Sequence, residues 1–500
     1  MDIWNDSLNN MELTAFHYFL GFTALFMLIY NTIEVGRNDA ANIVNAVFGA
    51  KVLDAKRAIL LAGLAVIVGA VAASPVMETA RKGIFDPSSL GNLQSAINVY
   101  LAVYVTNTVL LYSFSAFGMP VSTTACLVFA LLGGGFAVGG MDAIDWQKSS
   151  QVILGIICSI LASGFLGYMV QRLFRYFIQG DCRSDASVQR HGAWISGLLI
   201  TGLIYFMIMK GLKNVAFVKV IKASFFAKLG TPVALLCLWG LFTLVIGVAM
   251  VAWKQRLKTY LFASLAILGM ISTAIAFGQN DLANCASPGL AILMILKHGT
   301  LATQVDVAWW MLFGCGILLF LGMSTKTARR VTEAGVRAGS QGGNVRLYAP
   351  KWCLSLANCL VAKEASTAPQ SEAKDSLDEG FHFDALRAAV ITSVTGSVIA
   401  VASGLGLPVS TTYVSFAAVI STGWADRIFH TGDAVVKMGR TIWVVFCWFF
   451  SAFIAALATA IMLHIISFGW WGILLALGVN LAIRQIMQRR SDVHEQRVNG

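Results

Sequence analysis

The chain has 500 residues, of which 57% are hydrophobic and only 12% charged. A soluble protein needs about 25% charged residues, so this composition excludes a water-facing globular surface and predicts an all-α, polytopic membrane protein. The formal net charge of +11 does not point to nucleic acid, because the Lys and Arg residues lie between apolar segments, where they set orientation and meet anionic lipid headgroups.

In chain order, the N-terminus carries Asp2, Asp6 and Glu12 and no basic residue, so the basic n-region of a signal peptide is missing. Apolar stretches of membrane-spanning length fall near residues 14–33, 57–79, 93–115, 149–172, 192–210, 231–253, 259–277, 304–323, 382–404, 438–466 and 468–486, which gives about 11–12 spans. Four further apolar pieces, near 36–50, 118–140, 281–297 and 408–423, are too short or interrupted to be simple spans. Two basic segments, Arg172 to Arg190 and Lys210 to Lys228, cannot both face the cytoplasm across one span unless a span is broken or missed. The polar stretch from about Ser324 to Glu379 begins basic (Lys326, Arg329, Arg330, Arg337, Arg346, Lys351) and ends acidic (Asp375, Asp378, Glu379). It reads as a solvated, partly flexible cytoplasmic loop, with a regulatory or partner-binding role as the alternative. The nine Cys residues show neither metal-ligand spacing nor a disulfide framework.

The short apolar pieces contain a duplicated pair of polar motifs. Gly36-Arg37-Asn38-Asp39-Ala40-Ala41-Asn42 returns as Gly278-Gln279-Asn280-Asp281-Leu282-Ala283-Asn284, and Pro120-Val121-Ser122-Thr123-Thr124 returns as Pro408-Val409-Ser410-Thr411-Thr412. Asn38 and Ser122 lie 84 positions apart, Asn280 and Ser410 130; the polar stretch accounts for most of the excess. An Asp in an apolar segment is costly and marks an ion or substrate pathway. Interrupted segments at matching places in two halves point to a transporter binding site. The divisions expected are 1–172 as first repeat, 173–258 as linking segments, 259–323 and 381–500 as the two parts of the second repeat, and 324–380 as the loop.

Pro followed by Ser and Thr suits a helix start, where unpaired backbone N–H groups and a partial positive charge form an anion seat without Lys or Arg. One copy alone could equally be a kinked packing helix. Asn38 and Asn42, like Asn280 and Asn284, are four apart and share a helix face. Carboxylate and amide oxygens, completed by unwound backbone carbonyls at the breaks that Gly36 and Gly278 permit, suit a small alkali cation; the alternative is polar glue between helices. A carboxylate 4 Å from an anion costs about 4 kcal/mol at an effective dielectric near 20. A cation or proton on the Asp removes that cost, so the two bindings are linked, as symport requires. Arg37 either contacts the anion or pairs with Glu34, three residues earlier.

The four motifs resemble the signature of the inorganic phosphate transporter (PiT) family. The resemblance covers most of the chain and implies two inverted repeats with broken helices or re-entrant hairpins. It implies phosphate carried with sodium, or with protons. Carried over by position, Ser122, Thr123, Thr124, Ser410, Thr411 and Thr412 would hold phosphate. Asn38, Asp39, Asn42, Asn280, Asp281 and Asn284 would hold the cation, with both Asp close to the substrate. This chain departs from the family at Arg37 and Gln279, where a small residue is usual, and at Ala125 and Tyr413, where His often follows. The expectation is therefore a plasma-membrane importer of phosphate (inner membrane in a bacterium), with no resident cofactor and a homodimer left open. A sulfate or other tetrahedral-oxyanion permease and an ion channel are the alternatives. An enzyme is not expected, because no nucleophile–base pair or His/Cys/Glu metal cluster is apparent.

Overall fold

The computed structural model describes residues 14–73, 76, 84, 93–178, 186–213, 216–299, 307–338, 348–361, 383–428 and 434–499. Among these there is no strand. Fourteen longer helices carry the fold: α1 (Ala15–Gly49), α2 (Ala55–Val71), α3 (Leu93–Ala116), α4 (Thr123–Gly139), α5 (Trp146–Phe177), α6 (Ala186–Leu203, continued as a π-helix Ile204–Gly211), α7 (Thr231–His298), α8 (Trp309–Met323), α9 (Lys326–Ala338), α10 (Lys351–Leu360), α11 (Ala385–Gly404), α12 (Thr411–Ala425), α13 (Ala434–Ile466) and α14 (Trp470–Asn499). Ten described helical stretches are long and apolar enough to cross a membrane, α7 supplying two of them (Thr231–Trp253 and Lys258–His298), or eleven when α8 and α9, bent by 66° at their junction, count as one span. The chain is a multi-pass helical membrane protein. Large apolar side chains on the outer faces of α5, α7 and α13 (Leu161, Phe165, Val251, Phe449, Phe453) are exposed, as expected of a surface solvated by lipid.

The element order repeats. In each half a helix bearing Asn-Asp (α1, α7) precedes a short helix (α2, α8), then a helix, a break and a second helix (α3–α4, α11–α12). The breaks fall at residues 117–122 and 405–410. Each break closes a helical hairpin. In the second, Asp384 caps the start of α11, Asp426 caps the end of α12, and Arg175 pairs with both, so the chain leaves at the level where it entered. α12 has 15 residues, about 22 Å of helix, shorter than a hydrocarbon core of about 30 Å; it is the return arm of this hairpin. In the first hairpin, a Cβ at Gly134 of α4 would lie 3.0 Å from Val99 of α3, which sets the two arms antiparallel. The halves also exchange partners: α1 packs on α8, α2 on α7, α4 on α13 and α5 on α12.

Several sequence expectations change. No break occurs at Gly36 or Gly278, because α1 and α7 run helically through both motifs. These glycines serve close packing instead. A Cβ at Gly36 would sit 2.1 Å from the Leu319 carbonyl oxygen of α8, and one at Gly278 2.2 Å from that of Val66 of α2. Small residues let membrane helices approach to backbone contact in this way. The pieces at 36–50 and 281–297 are thus the inner ends of long helices, and those at 118–140 and 408–423 are the return arms of the hairpins. The helix expected at 57–79 ends at Val71, and that at 304–323 begins at Trp309. The stretch expected to be a loop contains α9 and α10; Asp375, Asp378 and Glu379 lie outside the described residues. One helix, Ala186–Gly211, separates the two basic segments, so they sit at its opposite ends and no span was missed between them.

The glycine contacts are directly testable. Gly36→Ala should force α1 and α8 apart and cost about 1–3 kcal/mol, as overpacking does, lowering the melting temperature in detergent and the monodisperse yield. Gly164→Ala, where a Cβ meets nothing within 4 Å, is the matched control and should leave both unchanged.

Candidate functional site

The hairpin tips meet each other at the two Asn-Asp helices. Ser122 and Ser410 are the N-caps of α4 and α12; each side chain accepts from the backbone N–H three residues on, Ala125 at 2.9 Å and Tyr413 at 3.1 Å. The remaining first-turn N–H groups of two helices, with their dipoles, are therefore presented at one place. The tips are cross-linked by the last residue of each motif. Thr124 donates to the Val409 carbonyl at 2.8 Å, and Thr412 donates to the Val121 carbonyl at 3.2 Å.

Asp39 and Asp281 lie between the tips, and both are fully buried. Asp39 Oδ1 accepts from Asn38 at 2.8 Å, Asn42 at 2.8 Å and Thr412 at 2.9 Å. Asp281 Oδ1 accepts from Asn284 at 2.6 Å and Thr123 at 3.3 Å. Asn42 also donates to Thr412 at 2.9 Å, and Asn284 to Thr124 at 2.7 Å and Thr123 at 3.3 Å. Each Asn-Asp helix therefore touches the hairpin of the opposite half, so neither half makes the site alone. Among the described residues, Asp39 Oδ2, Asp281 Oδ2 and Asn284 Oδ1 have no hydrogen-bond donor, and Thr411 Oγ1, which faces Asp281, makes no hydrogen bond of ordinary geometry. Pro288 lies inside α7. Lacking an N–H, it leaves the carbonyl four residues earlier, on Asn284, without its helical donor.

Asn38 and Asn280 do different work from Asn42 and Asn284. Asn38 donates to the Val121 carbonyl at 2.7 Å and accepts from Val121 N at 3.3 Å and from Ser115 at 3.0 Å. Asn280 accepts from Val409 N at 3.1 Å and donates to Ser403 at 3.1 Å and to the Leu407 carbonyl at 3.2 Å. Each ties its Asn-Asp helix to the hairpin of its own half.

Arg37 pairs with Glu34 at 2.6 Å and donates to Thr325, at the α8–α9 bend, at 3.3 Å. Glu34, fully buried, also pairs with Arg484 of α14 at 2.8 Å, and Arg484 bonds the Tyr30 hydroxyl. Both guanidiniums sit over Tyr112. The structure thus supplies the Glu34 pairing and brings in Arg484, Tyr30 and Tyr112, which the motif comparison missed because they are single residues on other helices. At the corresponding place in the second half, Gln279 reaches, among the described residues, only the Gly211 carbonyl, at 3.4 Å, near the apolar cluster Met207, Ala276, Ile399, Ala400 and Val414. Among the described residues no group of three or more His, Cys, Asp or Glu side chains could hold a metal ion; the site's oxygens come from carboxylate, amide, hydroxyl and carbonyl groups.

Fold and site define a membrane carrier of the type with two hairpins around a central polar site. A profile of the phosphate transporter family matches residues 35–340, more than half of the chain, and the chain belongs to that family, one of transporters rather than enzymes. It is 25% identical over 439 residues to a candidate phosphate permease of Pyrococcus abyssi, covering 86% of this chain and 94% of the relative. It is also 25% identical over 406 residues to one of Helicobacter pylori strain J99, covering 79% and 67%. A solved structure described as a sodium-dependent phosphate transporter superposes with a TM-score of 0.67 at 19% identity, over 90% of this chain and 99% of the other; at that identity the likeness is one of fold.

The buried charge cluster gives a prediction of its own. Glu34→Gln removes the only carboxylate that Arg37 and Arg484 share in these contacts, and breaking one side of a buried ion pair costs about 3–5 kcal/mol. The melting temperature should fall clearly. The double variant Glu34→Gln, Arg37→Gln should recover part of the loss in the same measurement.

Proposed function

We propose that this protein is a symporter that carries phosphate with sodium through the site between the two hairpin tips. The observation that carries this reading is the pairing of two buried carboxylates, each with an oxygen lacking a donor, with two inward-facing helix N-termini. The seat at Ser122, Thr123, Thr124, Ser410, Thr411 and Thr412 offers neutral donors to a tetrahedral oxyanion. Asp39, Asp281, Asn42 and Asn284, with the Asn284 carbonyl freed by Pro288, offer hard oxygens to an alkali cation. The family pattern would add Asn38 and Asn280 to that cation set, but their side-chain oxygens already accept from the Val121 and Val409 backbone amides, and they are left out of it. Arg37, which adjoins Asn38 in sequence, is held by Glu34 and Thr325 and is left out of the anion seat. A cation between the carboxylates removes their repulsion against phosphate, and that relief is the coupling. The tip-to-tip hairpins and the exchanged packing support an inverted repeat, the arrangement that allows one central site to open to either side. The family profile supports phosphate as the anion, and the description of the structurally similar protein favours sodium over protons.

The experiment is labelled-phosphate uptake into proteoliposomes under separately imposed sodium and proton gradients. Uptake should follow sodium; uptake that follows only the proton gradient replaces sodium with protons. Arsenate, which shares the shape and protonation of phosphate, should compete strongly, and sulfate weakly. Sulfate blocking better than arsenate would make this a sulfate permease.

Variants sharpen the assignment. Thr123→Ala and Thr411→Ala leave both serine caps in place and each remove a donor to a charged ligand, worth about 1.5–3 kcal/mol. Each should raise the KM for phosphate about tenfold or more at unchanged expression. Asp39→Asn and Asp281→Asn should each abolish sodium-driven accumulation, and full accumulation in either would make that carboxylate structural.

A further inference from the structure

The two leading asparagines of the duplicated motif have equivalent hairpin partners but unequal links to the carboxylates. Val121 and Val409 correspond in the repeat, as do Ser115 and Ser403. Both asparagines grip the residue that precedes the capping serine, and both bond the corresponding serine on the outgoing arm. The difference lies in the amide nitrogen. Asn38 Nδ2 is shared between Asp39 Oδ1, at 2.8 Å, and the Val121 carbonyl, at 2.7 Å. Asn280 Nδ2 is shared between Ser403 and the Leu407 carbonyl, and no bond from it to Asp281 occurs among the described contacts. A continuous hydrogen-bonded path thus runs from carboxylate to hairpin tip in the first half, through Asp39, Asn38, Val121 and the helix start at Ser122. The Val121 carbonyl also accepts from Thr412, so the same path reaches the opposite tip.

All four hydrogen-bonding positions of the Asn38 amide are occupied: two donors by Asp39 and Val121, two lone pairs by Ser115 and Val121. An amide so saturated has no lone pair left for a cation. It is built to transmit the position of one group to another.

Within the symport reading, we infer that Asn38 is the positioning residue that couples cation binding at Asp39 to the anion seat, and that Asn280 fastens its own hairpin without carrying that coupling. When a cation draws on the Asp39 carboxylate, the shared Asn38 amide shifts the balance between its two acceptors. The backbone at Val121, and with it the first turn of α4, is then set for phosphate. Cation and anion affinities are linked through this path in addition to direct charge compensation, and the linkage is reciprocal.

The test measures phosphate binding to purified protein with and without saturating sodium at fixed pH, and across pH at fixed sodium. The coupling ratio is the dissociation constant without the cation divided by that with it. Sodium binding alone is followed by its thermal stabilisation of the phosphate-free protein. Asn38→Ala should cut the coupling ratio about tenfold while sodium alone still stabilises the protein. Asn280→Ala should weaken phosphate binding by a similar factor with and without sodium, leaving the ratio at its wild-type value. Ser115→Ala, which frees one lone pair of Asn38 and is mild enough to fold, should lower the ratio about twofold to threefold, and Ser403→Ala should not. Loss of sodium stabilisation in Asn38→Ala would make Asn38 a cation ligand and overturn the inference. So would equal effects of the Asn38 and Asn280 variants on the ratio, or an unchanged ratio in Asn38→Ala and Ser115→Ala. Wild-type binding that answers to pH but not to sodium removes the sodium assignment and leaves the same comparison to be read on protons. Binding that answers to neither ends the symport reading and this inference with it.

Discussion

Two carboxylates buried to zero exposure at the meeting point of two hairpins set the terms for the rest of the molecule. An uncompensated charge at such depth costs several kcal/mol, and bonds from Asn and Thr satisfy only one oxygen of each carboxylate. The remaining oxygens, Asp39 Oδ2 and Asp281 Oδ2, are buried without a donor among the described residues. The fold brings two helix N-termini to the same place, and in the proposed reading a cation on the carboxylates and an anion on the helix starts stabilise each other. In the symport reading proposed above, each ion raises the other's affinity.

The two halves share this arrangement without being equivalent. The first half carries Glu34, Arg37 and Tyr112, joined by Arg484 of α14, where the second has Gln279 beside apolar side chains. The second half carries Pro288 and the carbonyl it releases, where the first has Ala46 in an ordinary helical turn. Tyr104 occupies the space around that proline, donating to the Cys285 carbonyl at 2.8 Å and accepting from Gly289 N at 2.7 Å. A carrier that must present one site to two sides with different ion concentrations has a use for such inequality, because a symmetric pair of halves would give no preference to either orientation.

Much of this was legible in the sequence because it is written twice. A duplicated Asn-Asp and a duplicated Pro-Val-Ser-Thr-Thr in apolar sequence imply that the halves meet, and the structure brings these motifs together; the anion seats they suggest are those of the proposal. Composition alone gives the class. What the sequence hid is of two kinds. Gly36 and Gly278 suggested helix breaks, but a glycine permits a break and equally permits backbone contact, and only the neighbouring carbonyls of Leu319 and Val66 decide between them. The other kind is long-range pairing: Arg484 lies 450 positions from Glu34, and no local pattern announces it. The split between Asn38, with all its bonds made, and Asn284, with an oxygen unpartnered, also depends on which backbone groups the hairpins bring near.

The most direct test of the account is the location of the anion. In crystals grown with arsenate in place of phosphate, and with sodium, anomalous diffraction at the arsenic edge should give one peak between the start of α4 and the start of α12, within hydrogen-bonding distance of donors from both halves. A peak at one hairpin alone, two separate peaks, or a peak outside the tips would contradict a single site built by both halves.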